Sequence, residues 1–305
     1  MTSDGCISLC RLSNSSKTGR PQLEDLKTYQ CFPSEALVLS FAWHPSISNV
    51  IGVTLSTGEV KICKVLYKED AVVPFIDCEA PDTISEIHSH DLEAWTLAFL
   101  PPGDGVLSGG DDAALKYSSI PSLQGVLKDT KPWLTDNFDG NEFSVQWQNG
   151  KIHGAGVTAV LPLSHDIVVT GSYDDHIRVL SVPKSGRRGV LADMNLGGGV
   201  WRLTLVDRQT NGSNHHSRLR FLLLASCMHA GACIVEVTRS QNGTWSVEVL
   251  AKFEEHKSMN YGSDVQPRSV QERSVESRTF VSTSFYDRLV CLWRHGPTES
   301  QRQTC

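Results

Sequence analysis

Apolar residues along this chain alternate with polar ones or run in short blocks, and each block is bounded by Gly, Pro, Asp or Ser. Both patterns are strand signals, because successive side chains on a strand point to opposite faces. The i, i+3, i+4 spacing of an amphipathic helix is almost missing, so the chain reads as all-β. The pattern also recurs. An apolar strand leads into a Ser/Thr/Gly-rich tight turn, and a second strand with β-branched residues follows. The turns centre on Thr57, Asp112, Asp174, His229 and Asp287, at intervals of 55, 62, 55 and 58 residues. Regular spacing over most of the chain is the mark of a repeat architecture. Upstream of the first four turns stand Leu39–Trp43, Trp95–Phe99, Val157–Leu161 and Val200–Thr204, the expected inner strands.

The segments Thr170-Gly-Ser-Tyr-Asp-Asp-His-Ile-Arg-Val-Leu180 and Phe285-Tyr-Asp-Arg-Leu-Val-Cys-Leu-Trp293 resemble the WD-repeat family. Blades of that family carry four strands, a His in the loop before the inner strand and an Asp in the turn between the second and third strands. His90 precedes Asp112 by 22 residues, His153 precedes Asp174 by 21, and His256 precedes Asp287 by 31, so three units carry the pair. The fold expected is an all-β, WD40-repeat β-propeller. Its repeat is longer than the ~40–45 residues usual for such blades. The excess is assigned to polar loops over 121–150, 207–218 and 263–278. Residues 1–35 read as the third and fourth strands of a partial blade, 36–295 as the propeller and 296–305 as a tail. Seven blades are common in the family, whereas five repeats and a half blade are counted here. The first two strands of the opening blade are therefore expected to be missing, unless the ring is smaller.

A more specific set of strings occurs in order: Glu93-Ala-Trp95, Ser108-Gly-Gly-Asp-Asp112, Gly171-Ser-Tyr-Asp174 with His176, Gly197-Gly-Gly-Val-Trp-Arg-Leu203, Leu224-Ala-Ser-Cys-Met-His229, Tyr261-Gly262 and Ser284-Phe-Tyr-Asp287. Together they resemble the diphthine methyl ester hydrolase family, a WD-repeat group of diphthamide biosynthesis. The resemblance implies an esterase that removes a methyl ester from over-methylated diphthine on translation elongation factor 2. The alternative is a non-catalytic WD-repeat scaffold for protein interaction. A methyltransferase is disfavoured, since no Gly-rich strand-to-helix motif for a nucleotide-like cofactor is present.

Composition narrows the remaining choices. The 305 residues include 28 Lys and Arg against 34 Asp and Glu, a net charge of −6, which gives no electrostatic footprint for nucleic acid. No window approaches ~18 consecutive apolar residues and no signal-peptide pattern opens the chain, so neither membrane nor secretion is expected. Nine cysteines are scattered without a CxxC pair and read as free thiols of a reducing compartment. A cytoplasmic monomer is expected.

Ester hydrolysis needs a nucleophile or activated water, a base and oxyanion donors. There is no G-x-S-x-G elbow, no H-E-x-x-H and no compact group at metal-ligand spacing, so neither metal nor cofactor is expected. His90, His153 and His256 with their Asp partners are assigned a structural role, tying a loop to a turn within one blade. His229 differs, because it replaces the turn Asp of its unit, and Gly197–Gly199 stands where the loop His belongs. Cys227, two residues earlier, is placed on the same face. The two make either a Cys-His nucleophile pair or a buried Cys beside a turn His. His176, first in its strand, is a second base or a strand-end polar residue. Trp95, Trp201 and Tyr261 stand at equivalent strand starts, with Glu93 beside Trp95. They form either a cage for the trimethylammonium group of diphthine or seals between blades.

Overall fold

In the computed structural model every regular element among the described residues is a strand, 21 in all. The described residues are 4–14, 20–66, 76, 83–120, 145–211, 218–267 and 277–296. The chain divides into two units, residues 1–151 and 152–305.

The first unit opens with a hairpin of β1 (Cys6–Asn14) and β2 (Pro21–Gln30). Two four-stranded antiparallel sheets follow. One contains β3 (Val38–Trp43), β4 (Val50–Leu55), β5 (Glu59–Lys64) and β6 (Ile84–Ser89); the other contains β7 (Ala94–Leu100), β8 (Gly105–Gly110), β9 (Leu115–Ser119) and β10 (Val145–Asn149). In the second unit one sheet is β11 (Val157–Pro162), β12 (Ile167–Ser172), β13 (His176–Ser181) and β14 (Gly189–Asn195). Next come β15 (Arg202–Asn211), β16 (Arg218–Ser226), β17 (Ala232–Arg239) and β18 (Trp245–Phe253), and then a three-stranded sheet of β19 (Gly262–Val265), β20 (Arg278–Ser284) and β21 (Leu289–His295). Antiparallel meanders in chain order are the blades of a β-propeller, and the fold class is the one expected.

Alternation explains how each sheet is buried. On β16, Phe221, Leu223 and Ala225 share a cluster with Val169, Ile177, Val179 and Leu196 of the preceding sheet. Leu224, between them, points the other way and packs with Val206 and Ile234 of its own sheet and Phe280 of the following one. A sheet covered on both faces needs apolar side chains at every position of its middle strands, and β4 and β8 are buried throughout.

All five turns of the repeat join the second strand of a sheet to the third, as the spacing requires. Gly58, Ala113 and Asp175 hold the same place in their turns, with φ of 97°, 58° and 68°. Glycine is the unstrained residue there, and Asp tolerates it better than most.

All three loop assignments are corrected in part. Residues 207–211 continue β15 and Arg218 opens β16, so the polar stretch over 207–218 flanks a long hairpin, with 212–217 outside the described residues. Within 263–278, β19 occupies Gly262–Val265 and β20 begins at Arg278. Of the stretch 121–150, residues 145–149 form β10, while 121–144 lie outside the described residues.

Candidate functional site

Three sheets share one device for fixing the loop before the first strand. His90 Nε2 bonds Ser108 at 2.7 Å, His153 Nε2 bonds Thr170 at 2.9 Å, and His256 Nε2 bonds Ser282 at 2.8 Å. In each case the next residue donates its backbone N–H to the turn carboxylate: Asp91 to Asp112 at 3.1 Å, Gly154 to Asp174 at 2.7 Å, and Lys257 to Asp287 at 3.1 Å. Of these three pairs only one has a direct bond between the His and Asp side chains, from His90 Nδ1 to Asp112 at 2.9 Å. The pairs of His153 with Asp174 and of His256 with Asp287 are corrected accordingly. Arg178 takes Asp174 as an ion pair at 2.8 Å, Ser258 donates to Asp287 at 3.0 Å, and Nδ1 of both histidines has no hydrogen-bond partner. All three imidazoles are buried, and burial pushes each below its ordinary pKa, His153 to about 4. They are neutral braces shielded from solvent.

The sheet β15–β18 ties its loop to its turn differently. With Gly197–Gly199 in the loop and His229 in the turn, there is no imidazole–carboxylate contact to make. The glycine backbone lies directly on the turn instead. A Cβ on Gly198 would fall 2.3 Å from the Cys227 carbonyl oxygen and 3.0 Å from the Ala230 nitrogen. One on Gly199 would fall 2.6 Å from Met228 Sδ. Close backbone packing therefore replaces the hydrogen-bonded brace, and His229 is exposed to solvent. Gly198→Ala should shift the turn, costing ~1–3 kcal/mol as overpacking does, measured as a fall in the denaturation midpoint.

The same turn separates Cys227 from His229. β16 ends at Ser226, and Met228 adopts φ of 44°, so strand alternation no longer holds across these residues. Cys227 is fully buried in the core, and its hydrogen bond with Cys233, reinforced by burial, holds its thiol well above the ordinary pKa. The placement of both side chains on one face is thus corrected: a protonated, buried thiol is not a nucleophile for an exposed imidazole. His176 bonds Asp193 through Nδ1 at 2.7 Å, inside a cluster in which Arg178 also pairs with Asp174 and Asp193.

Of the aromatic residues expected at strand starts, Trp201 and Tyr261 stand immediately before β15 and β19 and touch, with ring centroids 5.2 Å apart. Trp95 belongs to the first unit, where its indole N–H donates to Asp111 at 3.0 Å. Glu93 lies beside it and accepts from the Asp111 backbone through its own carbonyl. Within the second unit two further rings adjoin the pair of Trp201 and Tyr261. Tyr173 approaches Trp201 at 5.7 Å, and Phe285 approaches Tyr261 at 5.9 Å. Neither was signalled by the strand-start pattern, since both sit in turns between second and third strands. Met228 joins the His229 turn to this group. Its carbonyl accepts from Asn260, the neighbour of Tyr261, at 2.9 Å, and Gly199 fits between its sulfur and Tyr173. An exposed imidazole thus shares its turn with Met228, which is tied to Asn260 and lies against Gly199.

No family model matches the chain. Among relatives, the protein named diphthine methyltransferase of Schizosaccharomyces pombe is 27% identical over 296 residues, which cover 84% of this chain and 78% of that protein. The protein of the same name from Saccharomyces cerevisiae is 25% identical, covering 87% of this chain and 70% of the relative. A solved structure of Chaetomium thermophilum Sqt1 bound to the N-terminus of ribosomal protein L10 aligns with 96% of this chain and 79% of its own at 15% identity, with a TM-score of 0.49.

Proposed function

This chain belongs to the diphthine methyltransferase family, and from that membership we propose that it hydrolyses the methyl ester of over-methylated diphthine on translation elongation factor 2. The observation that carries the reading is the turn of His229, where an imidazole released from the usual loop brace stands in solvent, on a turn whose Met228 carbonyl bonds Asn260, the neighbour of Tyr261. In this mechanism a water molecule attacks the ester carbonyl while His229 takes its proton. The tetrahedral intermediate then collapses. The imidazolium returns the proton to the departing methoxide, and methanol and a carboxylate result. Trp201 and Tyr261 receive the trimethylammonium end of the substrate on their ring faces. Burial and Tyr286 push the Tyr261 phenol upward, which keeps that ring neutral.

Hydrolysis is favoured over methyl transfer by the architecture. A nucleotide-like methyl donor of the dinucleotide-fold type is held at a Gly-rich turn from strand to helix, and the sequence and the described residues consist of strands and tight turns. The two directions are separable by experiment. Purified protein is incubated with elongation factor carrying methylated diphthine, and the modified peptide is weighed. Loss of one methylene mass with release of methanol is expected. An unchanged peptide, or a gain of mass on the unmethylated form with a methyl donor present, would overturn the assignment.

A further inference from the structure

We propose that Tyr173 and Phe285, with Trp201 and Tyr261, form a four-ring wall that selects a quaternary ammonium group over a neutral group of the same shape. This rests on the hydrolase reading for its biological substrate but not for its chemistry. The rings come from three successive sheets of one unit and adjoin in the order Tyr173, Trp201, Tyr261, Phe285, with centroid separations of 5.7, 5.2 and 5.9 Å.

Their angles differ from those of the stacked aromatic pairs of the same unit. Phe221 with Trp245, Phe253 with Trp293 and Phe280 with Trp293 lie 18°, 9° and 19° from parallel, and these stacked pairs fill gaps around buried Phe221 and Phe280. The rings of the wall are inclined at 46°, 62° and 70° to one another. Rings so inclined turn their faces in different directions, and they enclose a rounded group rather than stack on a flat one. They are also accessible, Tyr173, Trp201 and Tyr261 being half-buried and Phe285 66% exposed. Each ring face carries the negative end of its quadrupole, which attracts a cation and is indifferent to a neutral isostere. A seal between blades has no need of this exposure.

The test uses choline and its neutral isostere 3,3-dimethyl-1-butanol, titrated calorimetrically into the full chain. The wild-type protein should prefer choline. Tyr173→Leu and Phe285→Leu, which keep an apolar side chain, should each lower that preference by about two- to tenfold while binding of the neutral alcohol stays unchanged. Phe285→Tyr, which keeps the ring, should retain the preference. Equal binding of the two probes by wild type, or an unaltered ratio in both leucine variants, would overturn the proposal. Because the readout is binding, a protein that prefers choline yet leaves the ester intact would refute the hydrolase reading alone. One that cleaves the ester without preferring the cation would refute this inference alone.

Discussion

His229→Ala should lower kcat on methylated elongation factor by about 10²–10⁴, with little change in the dissociation constant for the same protein. A general base acts on the proton leaving the attacking water, and that interaction exists only in the transition state, so ground-state binding is spared. The exposed turn position makes the variant a clean one, since no described packing or brace depends on the imidazole. Two companions assign the chemistry. Cys227→Ala should retain turnover, because its thiol is buried, protonated and directed into the core with Cys233. His176→Ala should also retain turnover, because its ring serves a charge cluster with Asp193 and Arg178. If His229→Ala stays active and His176→Ala is dead, the Asp193-oriented imidazole is the base and the site moves to β13. If only Cys227→Ala is dead, attack is covalent and the thiol must become exposed during the reaction.

The parts of this molecule written in local chemistry could be read directly. Gly58, Asp112 and Asp174 mark turns because glycine accepts a positive φ and aspartate accepts backbone N–H groups, and both signals are contained within a few residues. The exchange of a loop His for Gly197–Gly199 and of a turn Asp for His229 was legible for the same reason. Its meaning was only half legible, since the close approach of Gly198 to Cys227 and Ala230 is a tertiary contact. The shared face of Cys227 and His229 was misjudged because alternation was extended past Ser226 into a turn. Trp95 has the same register as Trp201 and Tyr261, and the bond its indole makes to Asp111 is a tertiary detail that register does not carry. Tyr173 and Phe285 escaped notice because their partners are 28 and 24 residues away in the chain, Trp201 on the next sheet and Tyr261 across the same one. The strand content of 207–211 was hidden by its polar run, in which Arg208, Gln209 and Thr210 are exposed.

Acid should unfold this protein through its braces before its carboxylates titrate. Burial pushes His88, a further buried imidazole bonded to Ser108 and Ser118, down to about 3, with His90 and Lys116 adding to the effect, and His153 to about 4, with Arg178 adding to it against Asp174 and Asp193. A histidine whose folded pKa lies below its unfolded value of 6.5 binds fewer protons in the native state. Stability is therefore complete above about pH 6.5 and falls as pH drops toward the folded pKa. Both side chains are nearly inaccessible, at 7% and 4% exposure, so solvent screening relieves little of the penalty. Between pH 6.5 and 4.5 each should remove on the order of 2–3 kcal/mol, a large share of ordinary domain stability. Asp174, held at about 2 against desolvation by Arg178 and backbone N–H groups, keeps its contribution until the pH falls below 3.8, outside this window. Denaturant titrations at pH 7.5, 5.5 and 4.5 measure the slope, and His153→Gln, which cannot titrate but retains an amide toward Thr170, should flatten it. Stability that holds level from pH 7.5 to 4.5 in the wild-type protein would mean that these imidazoles are hydrated or protonated in the native state, and the neutral brace would have to be abandoned.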